Sequence, residues 1–445
     1  MPSIRSTRRE PACLAPWHRP HGRGRMLSLI DKAWVAPLTL LPVPLGRQMV
    51  RGGGRTDRGA AASRQLLIDV SVIVREDART GIQRVVRALL AQLLENPPPG
   101  WVVRLVRATK YRGYRTAPAL NGLPWSGAGA GAPLHVGRGD VFLGLDLSAH
   151  LVPRHFGQLA RWKKQGVALY FMVYDLLPVL HPQWFNPRTQ RHFARWLRAV
   201  ALLADGAVCI SESVRNELES HLAERYHLPT HSIGLHHIHL GGDLRASVPS
   251  QGRPAAFDAW LSGLGSRPSV VMVGTLEPRK GHAQALSAFE QLWAQGEDVN
   301  LIIAGKPGWK VEDLLARIRQ HPELGQRLHW LDHPSDEALE VLYRHADGAL
   351  MASQAEGFGL PLVEAACHGR PVLARDIPVF REVGANAARY FSGNDPQTLA
   401  AALRQWLADM QTHGRRTGPA IPWQTWSDSA RQLLACLPLG IPQHP

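Results

Sequence analysis

Cysteine is scarce in this chain. Only four cysteines occur in 445 residues, at Cys13, Cys209, Cys367 and Cys436, and no two are spaced Cys-x-x-Cys. This scatter indicates neither a zinc site nor a disulfide framework, so we expect a reduced, cytoplasmic protein.

Long apolar runs are also missing. Residues 33–45 are apolar, but they are too few to span a bilayer, and Pro37, Pro42 and Pro44 interrupt them. A secretory signal would need an uninterrupted apolar core and a small-residue cleavage site, and neither is present in a convincing form.

Negative charge is rare near the N-terminus. The chain has a formal net charge of +15, and residues 1–65 hold 12 Lys and Arg but only three Asp and Glu. Because residues 1–64 are rich in Arg, Gly, Pro and Ala, we predict a basic, mostly disordered leader. Three hypotheses remain for it: a solvated tail without function, a contact with anionic lipid headgroups, or a nucleic-acid-binding arm. We expect no nucleic-acid binding, since no recognisable module for it occurs elsewhere.

From Leu66 onward the pattern predicts an α/β protein, in which apolar strands alternate with amphipathic helices. Strands are predicted at 66–74, 101–106, 141–145, 167–173, 206–210, 270–273, 301–304, 328–331 and 349–351, and helices at 82–94, 187–204, 282–294 and 336–346. We therefore expect two domains of parallel sheets. The predicted segments are a leader (1–64), a first domain (65–245), a linker (246–267), a second domain (268–415) and a C-terminal segment with a helix (416–445).

Two carboxylates, Glu356 and Glu364, flank a glycine-rich bend and a proline. The bend, Gly357-Phe358-Gly359, suits a backbone that approaches a ligand closely, because glycine has no Cβ. Pro361 is suited to the first turn of a helix. This pattern predicts a ligand site where a buried strand ends in an α/β sheet. Two solvated carboxylates beside a turn are the alternative.

This stretch resembles the Glu-x7-Glu signature of the family 4 (group 1) retaining glycosyltransferases. Residues 273–281, Val-Gly-Thr-Leu-Glu-Pro-Arg-Lys-Gly, resemble that family's phosphate loop, and residues 369–374 and 377–383 continue the pattern. The match is good from about residue 269 to 391 and weaker from 66 to 244. The resemblance implies the GT-B architecture, in which two Rossmann-like domains face each other across a cleft and a terminal helix crosses back to the first domain.

Arg279 and Lys280 follow a predicted strand and Gly274, and they precede a helix. Arginine can bind phosphate through its planar fork, and lysine can do so as a point charge. In the resembling family this pair binds the donor diphosphate. Two surface cations beside a turn are the alternative.

The resemblance also implies roles for the glycine-rich stretch. Glu364 would accept hydrogen bonds from the ribose, and Glu356 would contact the donor sugar beside Gly357 and the N–H groups of Phe358 and Gly359. Ser353 stands where the family has a small polar residue near the nucleotide, although Ala352 replaces the usual proline before it.

Three residues of the first domain are candidates for the acceptor side. Residues 80–84, Thr-Gly-Ile-Gln-Arg, resemble a glycine loop of enzymes that build surface polysaccharides, including mannosyltransferases, which points to Gly81 and Arg84. A helix-capping turn with a solvated Arg84 is the alternative. Asp175 follows a predicted strand, but Tyr174 replaces the histidine frequent in relatives. Asp175 is therefore a candidate for orienting the acceptor, or it merely caps the next turn.

We expect no metal or other cofactor. The Asp-x-Asp triplet common in metal-dependent glycosyltransferases is absent. His227 and His231 are four residues apart, but Pro229 between them argues against one continuous helix that could carry both as ligands.

The resemblance, together with the absence of an Asp-x-Asp triplet, thus implies a retaining, metal-independent glycosyltransferase. It would move a sugar, with mannose as first choice, from a nucleoside-diphosphate sugar to a glycan or lipid-linked glycan during surface polysaccharide synthesis. We expect a cytoplasmic location, with peripheral contact to the inner membrane face as an option. The alternatives are another GT-B enzyme, such as a nucleotide-sugar epimerase, and a non-catalytic scaffold that binds sugar nucleotides.

Overall fold

The computed structural model describes residues 40–50, 63–413 and 420–440. Within them the chain forms two α/β domains, each built on its own sheet. Apolar side chains of both sheets are buried under helices, and one group of buried residues extends from the first domain into the second. The two domains therefore share a packed interface beside the cleft described below.

The first domain is built on a seven-stranded sheet in the order β3-β2-β1-β4-β5-β6-β7. All neighbours are parallel except β2 and β3. The strands are β1 (Arg64–Asp69), β2 (Trp101–Arg107), β3 (Arg115–Thr116), β4 (Val141–Gly144), β5 (Ala168–Val173), β6 (Gly206–Cys209) and β7 (Gly234–His237). The helices are α1 (Val43–Val50), α2 (Gly81–Glu95), α3 (Phe156–Lys164), α4 (Leu177–Leu180), α5 (Pro187–Leu203) and α6 (Glu212–Tyr226).

The second domain is built on six parallel strands in the order β10-β9-β8-β11-β12-β13. Its strands are β8 (Ser269–Val273), β9 (Asn300–Ala304), β10 (Leu328–Leu331), β11 (Gly348–Met351), β12 (Val372–Arg375) and β13 (Arg389–Phe391). The helices that follow the first domain are α7 (Phe257–Gly263), α8 (His282–Ala294), α9 (Glu312–Arg319), α10 (Asp336–His345), α11 (Leu360–Cys367), α12 (Pro378–Gly384), α13 (Pro396–His413) and α14 (Trp426–Cys436).

Side-chain caps fix where several helices begin. Thr80 and Gln83 form a reciprocal capping box at the start of α2. The side chain of Asn186 accepts the N–H of Thr189 before Pro187 opens α5, as the sequence predicts. Helix α14 returns to the first domain and packs on α2, where the Trp426 N–H donates to Asp243 Oδ1 at 2.9 Å. These caps fix where α2 and α5 begin, and the contact of α14 holds the C-terminal helix on the first domain.

The predicted strand 66–74 is too long. Strand β1 ends at Asp69, because the Asp69 carboxylate accepts the Ser71 N–H and the Asp146 carboxylate accepts the N–H groups of Val72 and Ile73. These side-chain acceptors satisfy the backbone donors that a longer strand would have offered to a neighbour.

The prediction of a disordered leader is wrong for residues 40–50. Helix α1 packs on α5 and α3, and it buries Val43 and Val50. The Arg47 guanidinium donates to the carbonyls of Ala201, Ala204 and Ser232 at 2.7–2.9 Å. Two of the prolines in this stretch, Pro42 and Pro44, stand at the start of the helix, where a missing N–H costs nothing. Residues 1–39 and 51–62 of the predicted leader lie outside the described residues.

Replacing Arg47 with alanine is expected to lower the free energy of unfolding by about 2–3 kcal/mol, because three carbonyls lose a charged donor. Thermal and urea unfolding of the full chain would measure this change. Met49→Ala is the matched control, since the Met49 side chain on the same helix is half exposed. An Arg47→Ala variant as stable as Met49→Ala would show that α1 contributes little to the fold.

Among the described residues, no helix combines the length and the apolar character needed to cross a bilayer. The three described cysteines, Cys209, Cys367 and Cys436, are free thiols.

Candidate active site

A cleft of about 1780 Å³ lies between the two domains. Segments that follow strands β1, β5, β8 and β11 reach it, so the carboxyl edges of both sheets contribute to its walls. All but one of the predicted site residues line the cleft: Gly81, Arg84, Asp175, Gly274, Arg279, Lys280, Glu356, Gly357, Phe358, Gly359 and Glu364. The exception, Ser353, is buried behind Glu356.

Two glycines let backbone segments approach closely at this site. Gly281 has φ of 75°, and a Cβ there would lie 2.3 Å from the Ala352 carbonyl oxygen. A Cβ on Gly357 would lie 1.9 Å from the carbonyl oxygen of Tyr174, which belongs to the first domain. The first glycine thus joins the loop after β8 to the loop after β11, and the second joins that loop to the opposite domain.

Glu356 binds both predicted phosphate-binding cations. Its carboxylate lies 2.8 Å from Arg279 Nη1 and 2.5 Å from Lys280 Nζ. The Ser353 hydroxyl donates to the same carboxylate at 2.7 Å. Burial alone would favour neutral Glu356, but Arg279 and Lys280 outweigh it and lower its pKa to about 2. Glu356 is therefore ionised, and Ser353 positions Glu356 instead of facing the cleft.

Glu277 is a second carboxylate at this point, and the sequence analysis did not single it out. It accepts the Arg279 Nε–H at 2.9 Å, and its side chain is 9% exposed. Its position two residues before Arg279 in the resembling loop is the signal that could have identified it. Arg279 and Lys280 are thus balanced by Glu277 and Glu356, so an incoming anion must compete with carboxylates for the two cations.

Glu364 is the fifth residue of α11, just past its first turn, and is almost completely buried. The Tyr343 hydroxyl donates to its Oε2 at 2.9 Å, and the Arg84 guanidinium pairs with its Oε1. Arg84 also pairs with Asp336 at the start of α10. Burial opposes the charge on Arg84, but Glu364 and Asp336 outweigh it and raise its pKa.

The structure decides one of the alternatives for Arg84, because its side chain is mostly buried and not solvated. Its carboxylate partners belong to the second domain and include the candidate ribose carboxylate, Glu364. Arg84 therefore bridges the two domains at the cleft.

Asp175 and Gly81 both lie at the cleft. The Asp175 Oδ1 accepts the Leu177 N–H at 3.1 Å, a local bond in the turn that leads into α4. Burial raises the pKa of Asp175 to about 6, although the charge of Arg279 opposes this shift. Gly81 is the first residue of α2, which directs the N-terminus of that helix toward the cleft.

A further cross-domain contact involves a residue that the sequence analysis did not single out. Glu382, on α12, accepts the backbone N–H groups of Glu212 and Ser213, the first two residues of α6. His239 Nε2 lies 2.8 Å from the same carboxylate. Burial would raise the pKa of Glu382, but these hydrogen bonds lower it to about 2. Glu382 thus ties the second domain to the positive end of a first-domain helix.

Within the part of the chain that the structure describes, no group of three or more His, Cys, Asp or Glu side chains is arranged to hold a metal ion.

Comparisons with known proteins agree with this geometry. Residues 262–418 match the family of glycosyl transferases group 1. The chain is 43% identical over 383 residues to the serotype-specific mannosyltransferase WbdA of Escherichia coli. The aligned region covers 85% of this chain and 47% of WbdA. It is also 32% identical over 138 residues to the O-antigen chain mannosyltransferase B of E. coli, covering 31% of this chain and 36% of that protein. The chain thus spans about half the length, or less, of these curated relatives.

Solved structures share the fold. Anabaena HepE in complex with UDP-glucose superposes with a TM-score of 0.52 at 16% identity and covers 83% of this chain and 94% of its own. Sucrose-phosphate synthase from Thermosynechococcus elongatus superposes with a TM-score of 0.54 at 18% identity and covers 84% and 94%. The predicted arrangement of two Rossmann-like domains facing across a cleft is confirmed.

Proposed function

Because the chain belongs to the group 1 glycosyltransferases, we propose that it transfers a mannosyl unit from a nucleoside-diphosphate sugar to a glycan acceptor during surface polysaccharide synthesis. The 43% identity to a mannosyltransferase over 85% of the chain carries this proposal. The convergence of Arg279, Lys280, Glu356 and Glu364 on one cleft supports it.

The donor diphosphate is assigned to Arg279, Lys280 and the N-terminus of α8, which directly follows them. A helix N-terminus presents free N–H groups and a partial positive charge, and both favour a phosphate. When the donor enters, its phosphates replace Glu356 and Glu277 as partners of the cations. Glu356 then becomes available to accept hydrogen bonds from the sugar hydroxyls, beside the N–H groups of Phe358 and Gly359.

The transfer breaks the bond between the anomeric carbon and the diphosphate oxygen and forms a bond to an acceptor hydroxyl oxygen. Retention of configuration requires the acceptor to attack from the side on which the diphosphate leaves. The departing phosphate oxygen then takes the proton of the acceptor hydroxyl, so no protein nucleophile is needed. Arg279 and Lys280 stabilise the negative charge that develops on the leaving diphosphate. This electrostatic stabilisation is the largest contribution of the site to the rate.

A screen of GDP-, UDP- and dTDP-sugars tests the proposal. We expect GDP-mannose to raise the melting temperature most and to release GDP when an α-mannoside acceptor is added. An epimerase would convert the sugar without an acceptor, and a scaffold would bind the donor without releasing nucleoside diphosphate. Either outcome would overturn the proposed transfer.

Metal independence is part of the same proposal, since Arg279, Lys280 and the N-terminus of α8 supply the positive charge at the leaving group. We expect an excess of EDTA to change the transfer rate less than about twofold, because this charge is covalently part of the chain. Initial rates before and after dialysis against EDTA would measure it. A rate lost in EDTA and restored by Mg²⁺ or Mn²⁺ would contradict this part of the proposal.

Asp175 is assigned to orient the acceptor hydroxyl as an ionised carboxylate. Because burial raises its pKa to about 6, the acceptor kcat/KM should fall below pH 6. Asp175→Asn should remove this fall below pH 6 and lower kcat/KM at pH 7.5 by about tenfold.

The raised pKa of Asp175 also affects stability. An acid with a raised folded-state pKa stabilises the fold at low pH and loses that contribution as the pH rises through 6. The variant should therefore melt at a higher temperature than the wild type at pH 7.5.

Glu217→Gln is the control for this limb, because burial also raises the pKa of Glu217, to about 7, and Glu217 does not line the cleft. This variant should keep the acid limb. If the fall in kcat/KM below pH 6 survives in Asp175→Asn and disappears in Glu217→Gln, the titrating residue is Glu217 and not Asp175.

We also propose a peripheral location at the cytoplasmic face of an anionic membrane. Residues 66–245 hold 21 Lys and Arg against 13 Asp and Glu, whereas residues 246–413 hold 15 against 19. Leu40, Leu45 and Met49 beside or on α1 are exposed apolar side chains of the basic domain. Basic and apolar groups together favour binding at a lipid surface. Cosedimentation with anionic but not with neutral vesicles tests this, and equal recovery with both would argue against it.

A further inference from the structure

One end of the cleft has aromatic walls from both domains. Phe185 precedes α5 in the first domain, and Trp309 lies in the loop after β9 in the second, residues 305–310. Both side chains line the cleft, and their ring centroids are 5.8 Å apart with planes inclined by 36°. Trp309 is 37% exposed, a large fraction for tryptophan. Two aromatic faces thus meet at the cleft without covering each other.

Hydrogen bonds fix the Trp309 ring and the backbone of Phe185. The Trp309 indole N–H donates to the Trp184 carbonyl at 2.6 Å, and Lys310 Nζ donates to the Gln183 carbonyl at 2.7 Å. The Gln190 side chain donates to the Phe185 carbonyl at 2.9 Å. The rings are therefore held in place across the domain interface before any ligand arrives, which reduces the entropy cost of binding.

Two imidazoles of the first domain also line the cleft. His150 and His192 have ring centroids 6.2 Å apart, and His192 lies on α5, seven residues after Phe185. Burial lowers the pKa of both, and neighbouring arginines, among them Arg154 and Arg188, lower it further. Each ring is therefore neutral at pH 7 and offers one donor and one acceptor.

This region connects to the proposed transfer centre through the phosphate loop. A Cβ on Gly308 would lie 2.4 Å from the Leu276 carbonyl oxygen, so the backbone beside Trp309 lies directly against that loop. The next residue of the loop, Glu277, holds Arg279. The aromatic end is thus contiguous with the groups assigned to the leaving diphosphate.

We infer that Phe185, Trp309, His150 and His192 form a subsite for a pyranose unit of an extended glycan acceptor, behind the unit that receives the new sugar. A pyranose has a flat C–H face that packs on aromatic rings and an edge of hydroxyls that needs neutral donors and acceptors. A lipid chain would leave the imidazoles without partners. The inference rests on the proposed function, and it adds that the acceptor is read over more than one sugar.

The test compares methyl α-mannoside with α-mannotetraose as acceptors for GDP-mannose. In Phe185→Leu and Trp309→Ala, the ratio of kcat/KM for the tetrasaccharide to that for the monosaccharide should fall about tenfold, since each loses an aromatic face. Trp309→Phe keeps a ring but loses the hydrogen bond to Trp184, and its ratio should fall less than about threefold. Trp423→Ala, which removes an exposed tryptophan that does not line the cleft, should keep the wild-type ratio.

A wild-type ratio in folded Phe185→Leu and Trp309→Ala would overturn the subsite. An equal fall in Trp309→Phe and Trp309→Ala would also overturn it, because the domain bridge and not the ring would then be responsible. If the wild type transfers mannose to neither acceptor, the proposed function fails, and saturation-transfer NMR with α-mannotetraose alone decides the subsite. Contacts that vanish in Trp309→Ala support it, and contacts that persist there, or are absent from the wild type, reject it.

Discussion

Arg279→Ala is expected to lower turnover of the nucleotide sugar by about a hundredfold or more. Removing one preorganised donor from a site of developing charge typically costs about 3 kcal/mol of transition-state stabilisation. Arg279 lies 2.8 Å from Glu356 and 2.9 Å from Glu277, so the variant also leaves two buried carboxylates with one cation. We therefore expect a lower melting temperature as well, and rates must be compared at a temperature where both proteins are folded.

Two further variants separate charge from geometry. Arg279→Lys keeps the charge but loses the planar fork, and it should recover only part of the rate. Arg381→Ala removes a half-exposed arginine of the same domain, paired with Asp376, and should leave turnover unchanged. A folded Arg279→Ala/Lys280→Ala protein with near-normal turnover would show that the diphosphate is stabilised elsewhere.

The second large effect is expected for Glu364→Gln, which should raise the donor KM by about tenfold to a hundredfold. A hydrogen bond to a charged group is worth about 1.5–3 kcal/mol, and the amide keeps the shape without the charge. Because ribose contacts are similar in the ground and transition states, kcat should fall much less. Steady-state kinetics with varied donor would separate the two constants.

Arg84 makes this prediction more specific. Since Arg84 pairs with Glu364 and Asp336, its loss should also raise the donor KM, and the effects of Arg84→Ala and Glu364→Gln should be far from additive. Glu312→Gln, at an exposed position on the same domain, serves as the control. An unchanged donor KM in Glu364→Gln would remove this carboxylate from the donor site.

Local signals in the sequence predicted most elements well. Helix α8 begins and ends at the predicted residues, and the predicted helix 336–346 is present as α10, capped by the Ser335 side chain through the Ala338 N–H. Caps and periodicity involve residues a few positions apart, so the chain itself displays them. Helix α1 was missed because it lacks such local signals. Its short, proline-bearing apolar run shows no helical period, and the carbonyls that Arg47 binds lie more than 150 residues away.

The candidate site was predictable in its members but not in their pairing. The motifs located Glu356, Glu364, Arg279 and Lys280, and the structure brings all four to one cleft. The contact between Arg84 and Glu364 joins residues 280 positions apart in different domains. It depends on how the domains dock, which no local pattern encodes. The inward position of Ser353 depends likewise on the packing of the loop after β11.

The return of α14 onto α2 has a consequence for dissecting the protein. The chain enters the second domain after β7 and comes back to the first after α13, so the second domain is an insertion within the first. A protease that cuts once between Asp243 and β8 would leave two fragments still joined by buried Trp426 and its bond to Asp243. Such fragments should copurify, and separate expression of the two pieces offers a route to a split, reconstitutable enzyme.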